Sequence, residues 1–196
     1  DVIRAKKIIY FLSRNNYVKI VSTANRNYKK KESKLSYEGF VPNKLSSKIF
    51  NIFLSLLRLE PLQLGFFYSS KINEYVKDNY KNYDLVVFQT FRTAQYIPKN
   101  YKTKCILDMG DLVSKNYTQT SEKLFFFNPI RLIYLIESLL LKKYENHCLN
   151  NFNKIFLHSK KEINSLKKEY KKKVIQFSFG IDKIKKKYKF TKKNYK

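Results

Sequence analysis

KCILDMGDLVSKNY, residues 104–117, is the stretch from which the rest of the chain can be read. Its apolar run, Cys105-Ile106-Leu107, ends at Asp108, and Gly110, Asp111, Ser114 and Tyr117 follow. A short apolar run bounded by turn residues reads as a strand buried on both faces, the kind found in parallel sheets. Two carboxylates flank a glycine at its tip, in a chain that is otherwise strongly basic. As pure structure, Asp108 caps loop amides and Asp111 caps a helical turn; as chemistry, both line a cleft. A metal site would want carboxylates at another strand end, and a phosphatase-like nucleophile would want Asp-x-Asp; neither pattern is present.

Upstream, YDLVVFQT (83–90) is a second strand of the same buried kind, followed by a short helix, FRTAQYI, that stops before Pro98. Downstream, residues 129–149 read as a long helix with Pro129 in its first turn, where the missing N–H costs nothing. NKIFLHS (153–159) and KKVIQFS (172–178) are the next strands, with Ser159 capping the helix KKEINSLKKEY between them. Nearer the start, Val2, Ile3, Ile8, Ile9, Phe11 and Leu12 recur at helical spacing until Asn15-Asn16, and YVKIVST (17–23) is a β-branched strand. Residues 24–44 are polar and basic and read as a loop. A helix over 46–58, a break at Pro61 and a helix over 69–80, capped by Ser69 or Ser70, complete the series. Strands alternating with helices and no hairpin signal predict a doubly wound parallel sheet with helices on both faces. Ligands of such sheets bind outside the carboxyl ends of the strands. The tips QTFR, DMGD and SFGID would share that edge.

The composition is compatible with one substantial domain: 43% of the 196 residues are hydrophobic, enough for a packed core. The net charge of +26 has three readings. It reflects an AT-rich coding bias, a preference for an anionic membrane surface, or nucleic-acid binding through phosphate neutralisation. The lysines are scattered over every segment, and the aromatics sit mostly inside apolar runs, which weighs against a stacking platform for nucleic acid. Cys105 and Cys148 show no paired spacing and read as small buried hydrophobes of a reduced, cytoplasmic protein. His147 and Cys148 are adjacent on a helix, where side chains diverge by about 100°, a poor chelate. The apolar stretches IFNIFLSLLRLEPLQLGFF and LFFFNPIRLIYLIESLLL are broken by charges and prolines. Neither gives the roughly 20 clean residues of a membrane span, so both read as core-facing or interfacial.

The succession RAKKIIYFLSRNNYVKIVS, EPLQLGFFYSSKINEYV, YDLVVFQTFRTAQYI, CILDMGDLVSKNY, LIYLIESLLLKKYENHCLNNFNKIFLHSKKE and VIQFSFGID resembles the amino-terminal half of a family 4 glycosyltransferase. It is most similar to the bacterial sugar transferases of exopolysaccharide clusters. The resemblance runs from Arg4 to Asp182 and rests on the order of six motifs rather than on one. It implies a GT-B architecture of two Rossmann-like domains facing a cleft. Residues 1–177 would be the acceptor-side domain without its first strand and glycine-rich loop. Residues 178–196 would begin the crossing to a donor-binding domain, with Phe179, Gly180 and Asp182 matching the family's turn. The paired-glutamate donor motif is not matched, so the chain would be a fragment inactive alone.

The full enzyme implied by this likeness transfers a sugar from a nucleotide sugar to a glycan or lipid-linked acceptor, with retention and without a metal cofactor. Asp111 and Asp108 match the acidic strand end and are the catalytic candidates. Arg4, Arg92, Ser114, Tyr117 and Gly180 are the cleft-binding candidates. Glu145 matches a frequent family glutamate and is expected in a buried ion pair with a neighbouring base. His158 is expected as a partly buried neutral histidine. A peripheral position at the inner face of the plasma membrane would follow from the basic helices, while a nucleic-acid module or a non-catalytic relative are the rival readings.

Overall fold

A computed structural model describes residues 2–98 and 104–177 of the chain. The first helix, α1 (Val2–Ser13), is closed by Asn16, whose side-chain amide donates to the Leu12 carbonyl. Strand β1 (Val18–Thr23) follows, then β2 (Tyr28–Glu32) and β3 (Leu35–Phe40). These three form one sheet in the order β1-β3-β2, with β1 parallel and β2 antiparallel to β3. The hairpin β2–β3 corrects the reading of 24–44 as a loop. β2 is Tyr-Lys-Lys-Lys-Glu, exposed throughout, so it shows no apolar alternation, and its turn uses Ser33 at φ 47° rather than an Asn-Gly pair. Lysines suit an edge strand because they deter pairing with other chains. The sheet is pinned by buried Glu38 on β3, which meets Lys19 of β1 at 2.7 Å and Lys29 of β2 at 3.0 Å.

Three helices come next: α2 (Leu45–Leu57), α3 (Leu62–Phe67) and α4 (Ser70–Asn79). Ser69 caps α4 by accepting from the Ile72 N–H, as its position in the sequence predicts. α3 is a short addition after Pro61, in a stretch the sequence reads only as a break. A second, all-parallel sheet follows in the order β4-β5-β6-β7, from β4 (Leu85–Gln89), β5 (Lys104–Gly110), β6 (Lys154–Leu157) and β7 (Val174–Gln176). The α/β class and a parallel sheet therefore stand as the sequence predicts, but the single sheet expected to include β1 does not: β1 pairs with β3 in a separate, mixed sheet.

The connections of the parallel sheet differ in detail from the expectation. Phe91–Tyr96, after β4, is a 3₁₀ turn rather than an α-helix. Between β5 and β6 run α5 (Val113–Lys123) and the long α6 (Pro129–Asn151), whose Asn128 caps its start. The helix expected between β6 and β7 is two short ones, α7 (Lys160–Ser165) and α8 (Lys168–Lys171). The core is the sheet with the second half of α6 upon it: Leu107, Ile155 and Leu157 are fully buried beside Leu141, Cys148, Leu149 and Phe152. Phe88 of β4 meets Phe152 edge to face at 5.6 Å. Full burial of each such side chain contributes roughly 1.5–3 kcal/mol. Both cysteines are reduced and buried, and burial raises Cys105 to about 11 and Cys148 to about 12, as expected of packing residues rather than reactive thiols.

Packing of α2 on α3 depends on the missing side chain of Gly65. A Cβ there would lie 2.4 Å from the carbonyl oxygen of Asn51, a backbone atom of α2 that cannot rotate away. Gly65→Ala is expected to destabilise the fold by about 1–3 kcal/mol, the usual cost of overpacking. Urea unfolding followed by circular dichroism measures it, and an unchanged midpoint would show that the two helices are free to separate.

Candidate functional site

β5 carries its acidic residues to the edge through a local irregularity. Asp108 is registered against Phe156 and Gly110 against Leu157, so Met109 is an extra residue in the ladder. Gly110 sits at φ 83°, in the left-handed region where a side chain is strained. Space is not the constraint there, since a Cβ would meet nothing closer than 3.9 Å. The tip of β4 leaves its strand the same way: Thr90 has φ 69° and ψ 152°, a conformation that costs a β-branched residue about 1–3 kcal/mol. The backbone holds it there, with the Thr90 N–H donating to the Asp108 carbonyl at 2.8 Å and the Thr90 carbonyl accepting from the Thr93 N–H at 3.1 Å. Strain of the kind held at Thr90 occurs often at sites.

Into this edge α1 inserts Arg4. Its guanidinium is 2% exposed and forms a salt bridge with Asp108, equally buried. Arg4 Nη1 lies 2.5 Å from His158 Nε2, and His158 Nδ1 lies 3.0 Å from the Phe177 carbonyl. The Arg4 guanidinium also lies over the Phe177 ring, 5.1 Å from its centre. His158 is tied to the tip of β5 by its own N–H, which donates to the Gly110 carbonyl at 2.8 Å. Burial pushes the Asp108 carboxyl above its ordinary value, while Arg4 and then His158 pull it back. Burial likewise draws Arg4 down, opposed by Asp108 and, more weakly, Asp111. Asp108 thus spends its charge on Arg4. Asp111, by contrast, is exposed beside this pair and open to a ligand.

Arg92 stands on a neighbouring arrangement. Its Nε and Nη2 donate to Gln63 Oε1 at 3.1 and 2.7 Å, and Gln63 Nε2 donates to the Tyr117 hydroxyl at 2.8 Å. The guanidinium also lies over the rings of Phe67 and Phe91, at 4.4 and 5.3 Å. Its bonded partners are thus neutral, and burial draws its pKa down. Arg4, Asp108 and Asp111 are brought together; Arg92 and Tyr117 are brought together through Gln63, next to the β4 tip. Gly180 lies outside the described residues.

Ser114 has a different place. It is buried, and its N–H and Oγ–H donate to the two oxygens of Glu145 at 2.9 and 2.6 Å. The expectation of a buried ion pair for Glu145 is corrected by this contact: the carboxylate caps the first turn of α5. Two bonds from one serine, one of them to a backbone N–H that a helix start leaves without a partner, hold an acid there more directly than a lysine could. Glu162 of α7 accepts from the Leu112 N–H at 3.3 Å, so α5 is met by two carboxylates and not by Asp111. Glu137 of α6 does the same for α3, accepting from the N–H groups of Leu62 and Gln63 at 2.9 and 3.3 Å.

His158 belongs with the site although its histidine was expected only as packing. Its position at the end of β6 is the same signal that marks Asp108 and Thr90. Gln63 has no such signal, since it reaches Arg92 from a distant helix. Among the described residues no group of three or more His, Cys, Asp or Glu side chains could hold a metal ion. Two open concavities lie away from this edge, on the three-stranded sheet. One is lined by Ala24 to Arg26 and Tyr28 to Lys30, the other by residues that include Lys31, Lys34 and Tyr83. Neither protein-family models nor curated proteins give a match to the chain.

Two predictions follow from the buried charges. Arg4→Met or Asp108→Asn alone leaves one charge in a dry place and is expected to cost about 3–5 kcal/mol, whereas Arg4→Met with Asp108→Leu restores most of it. Urea unfolding of the three variants checks this, and additive losses would contradict the pairing. Burial is the largest influence on Glu145 and raises its pKa above the ordinary 4.5, with Glu162 adding to the rise and the Ser114 bonds opposing it. The folded chain therefore binds this proton more tightly than the unfolded one. The associated stability is complete below pH 4.5 and is lost as the pH climbs through the raised value. Relative to Glu145→Gln, the wild-type urea midpoint is expected to fall as the pH rises above 4.5; parallel curves would refute it.

Proposed function

We propose that this chain is the acceptor-side half of a GT-B sugar transferase of the family 4 kind, in which a doubly wound domain faces a donor-binding domain across a cleft. The observation that carries the reading is the gathering of Arg4, Asp108, Asp111 and His158 at the carboxyl edge of an all-parallel sheet, where such folds take their ligands. In this reading the acceptor hydroxyl attacks the anomeric carbon of a nucleotide sugar. The new C–O bond forms as the bond to the diphosphate breaks, and the nucleoside diphosphate leaves with the electron pair. The hydroxyl proton passes to Asp111, the exposed carboxylate of the group. Asp108, occupied by Arg4, acts as a positioning residue for the edge rather than as a second base. Arg92 has neutral hydrogen-bond partners and supplies positive charge toward anionic portions of the substrates, with Tyr117 held beside it through Gln63. Helix amino-termini and basic side chains meet the charge on the leaving diphosphate.

The test is sugar transfer from labelled nucleotide sugars to glycan and glycolipid acceptors by the full-length protein. Asp111→Asn is expected to lower kcat by about 10²–10⁴, the usual contribution of a positioned base, with KM little changed. Unaltered turnover would remove Asp111 from the chemistry. Tight binding of nucleic acid that weakens steeply with salt, in a protein without transferase activity, would favour the nucleic-acid reading instead.

A further inference from the structure

Two helices of this protein are turned inside out. On α2 the residues Ile49, Phe50, Phe53 and Leu57 fall within one stripe at about 100° per residue. That stripe points outward, with Phe50 60% and Leu57 65% exposed, while the buried position of the same helix is Ser55. The first half of α6 repeats the inversion. Leu132, Ile133, Ile136 and Leu139 form an exposed stripe, and the buried positions beside and opposite it are Glu137 and Ser138. Ahead of α6, the rings of Phe125, Phe126 and Phe127 are all more than 70% exposed. The two elements are linked through α3, which packs on α2 at Gly65 and is capped by Glu137 of α6. Isolated exposed apolar residues are ordinary, but two inverted helices and an aromatic triplet exceed what a free surface carries.

Charge decides what covers this face. Residues 44–59 and 123–136 contain Lys44, Lys48, Arg58, Lys123 and Arg131 and no Asp or Glu. Two of these cations lie over aromatic rings of the same region, Lys48 over Phe66 at 4.8 Å and Arg131 over Phe126 at 5.2 Å. A second copy of this chain would bring another +26 against the first, so self-association is opposed by like charge. A partner that is apolar in depth and anionic at its surface matches both features, and a bilayer rich in anionic lipid has that profile. No helix among the described residues is long and apolar enough to cross a membrane, so the contact is one of lying on the surface.

We propose that α2, the Phe125–Phe127 segment and the first half of α6 form a surface that docks on anionic lipid bilayers. This does not rest on the sugar-transfer reading. The basic residues draw the protein to the headgroups, and the outward Phe, Ile and Leu side chains enter the boundary with the acyl chains.

Flotation with vesicles tests it, comparing phosphatidylcholine alone with phosphatidylcholine containing phosphatidylglycerol. Binding is expected only with the anionic lipid. Phe53→Ser with Phe126→Ser should weaken it at least tenfold without altering the circular dichroism spectrum, because both positions are exposed. The chain has no tryptophan, so Phe53→Trp and Phe126→Trp each provide a single reporter whose emission should shift to the blue on anionic vesicles. Absence of binding would overturn the proposal. So would binding that the serine variant leaves unchanged, which would mean that diffuse charge alone is responsible. A monomer-to-dimer shift abolished by the same serine substitutions, without vesicle binding, would assign the face to a second copy and overturn it equally.

Discussion

The salt bridge between Arg4 and Asp108 is the constraint on which the carboxyl edge depends. Placing both charges at 2% exposure forfeits their hydration, and the return includes their mutual attraction and the histidine and aromatic ring around the guanidinium. Such a pair is weak as a source of stability but strict as a specification, because either charge alone is far worse than both. It requires α1 to begin at the tips of β5 and β6 and nowhere else. His158 extends the requirement to Phe177, beyond the end of β7. One helix and the ends of three strands are thereby located by a single cation.

A comparable economy governs the helices around the sheet. α6, with 23 residues, sends two buried carboxylates, Glu137 and Glu145, to the first turns of α3 and α5. Each satisfies N–H groups that a helix start leaves without partners. α3 has only six residues and α5 has no cap of its own. Both are specified by the longest helix instead of by local sequence.

How much of this was legible in the sequence follows from the range of the forces involved. β5 and β6 were visible because burial on both faces of a parallel sheet demands continuous apolar runs, a purely local signature, and β4 and β7 carry apolar runs as well. Asp108 and Asp111 were visible as a tip, and their division of labour was not, since the partner of Asp108 lies 104 residues earlier in the chain. Glu145 shows the same limit: its neighbours in sequence include Lys142 and Lys143, yet its partner is a serine of another helix. β2 was hidden because five exposed residues in a row carry no alternation to read, and β3, which carries Glu38 and Gly39 at its buried positions, offers no apolar run. The apolar stripes of α2 and α6 were plain as periodicity, but periodicity gives a face and not its direction.

Thr90 and Gly110 share a consequence for how this edge could change over time. Both strand exits are set by left-handed backbone torsions, one held by main-chain hydrogen bonds and one permitted by glycine. The contour of the rim is thus written in the main chain, and the side chains that decorate it are separable from that contour. Exchange of a decorating residue such as Asp111 would alter which molecules are recognised while leaving the rim where it is, whereas replacing Gly110 would move the rim itself.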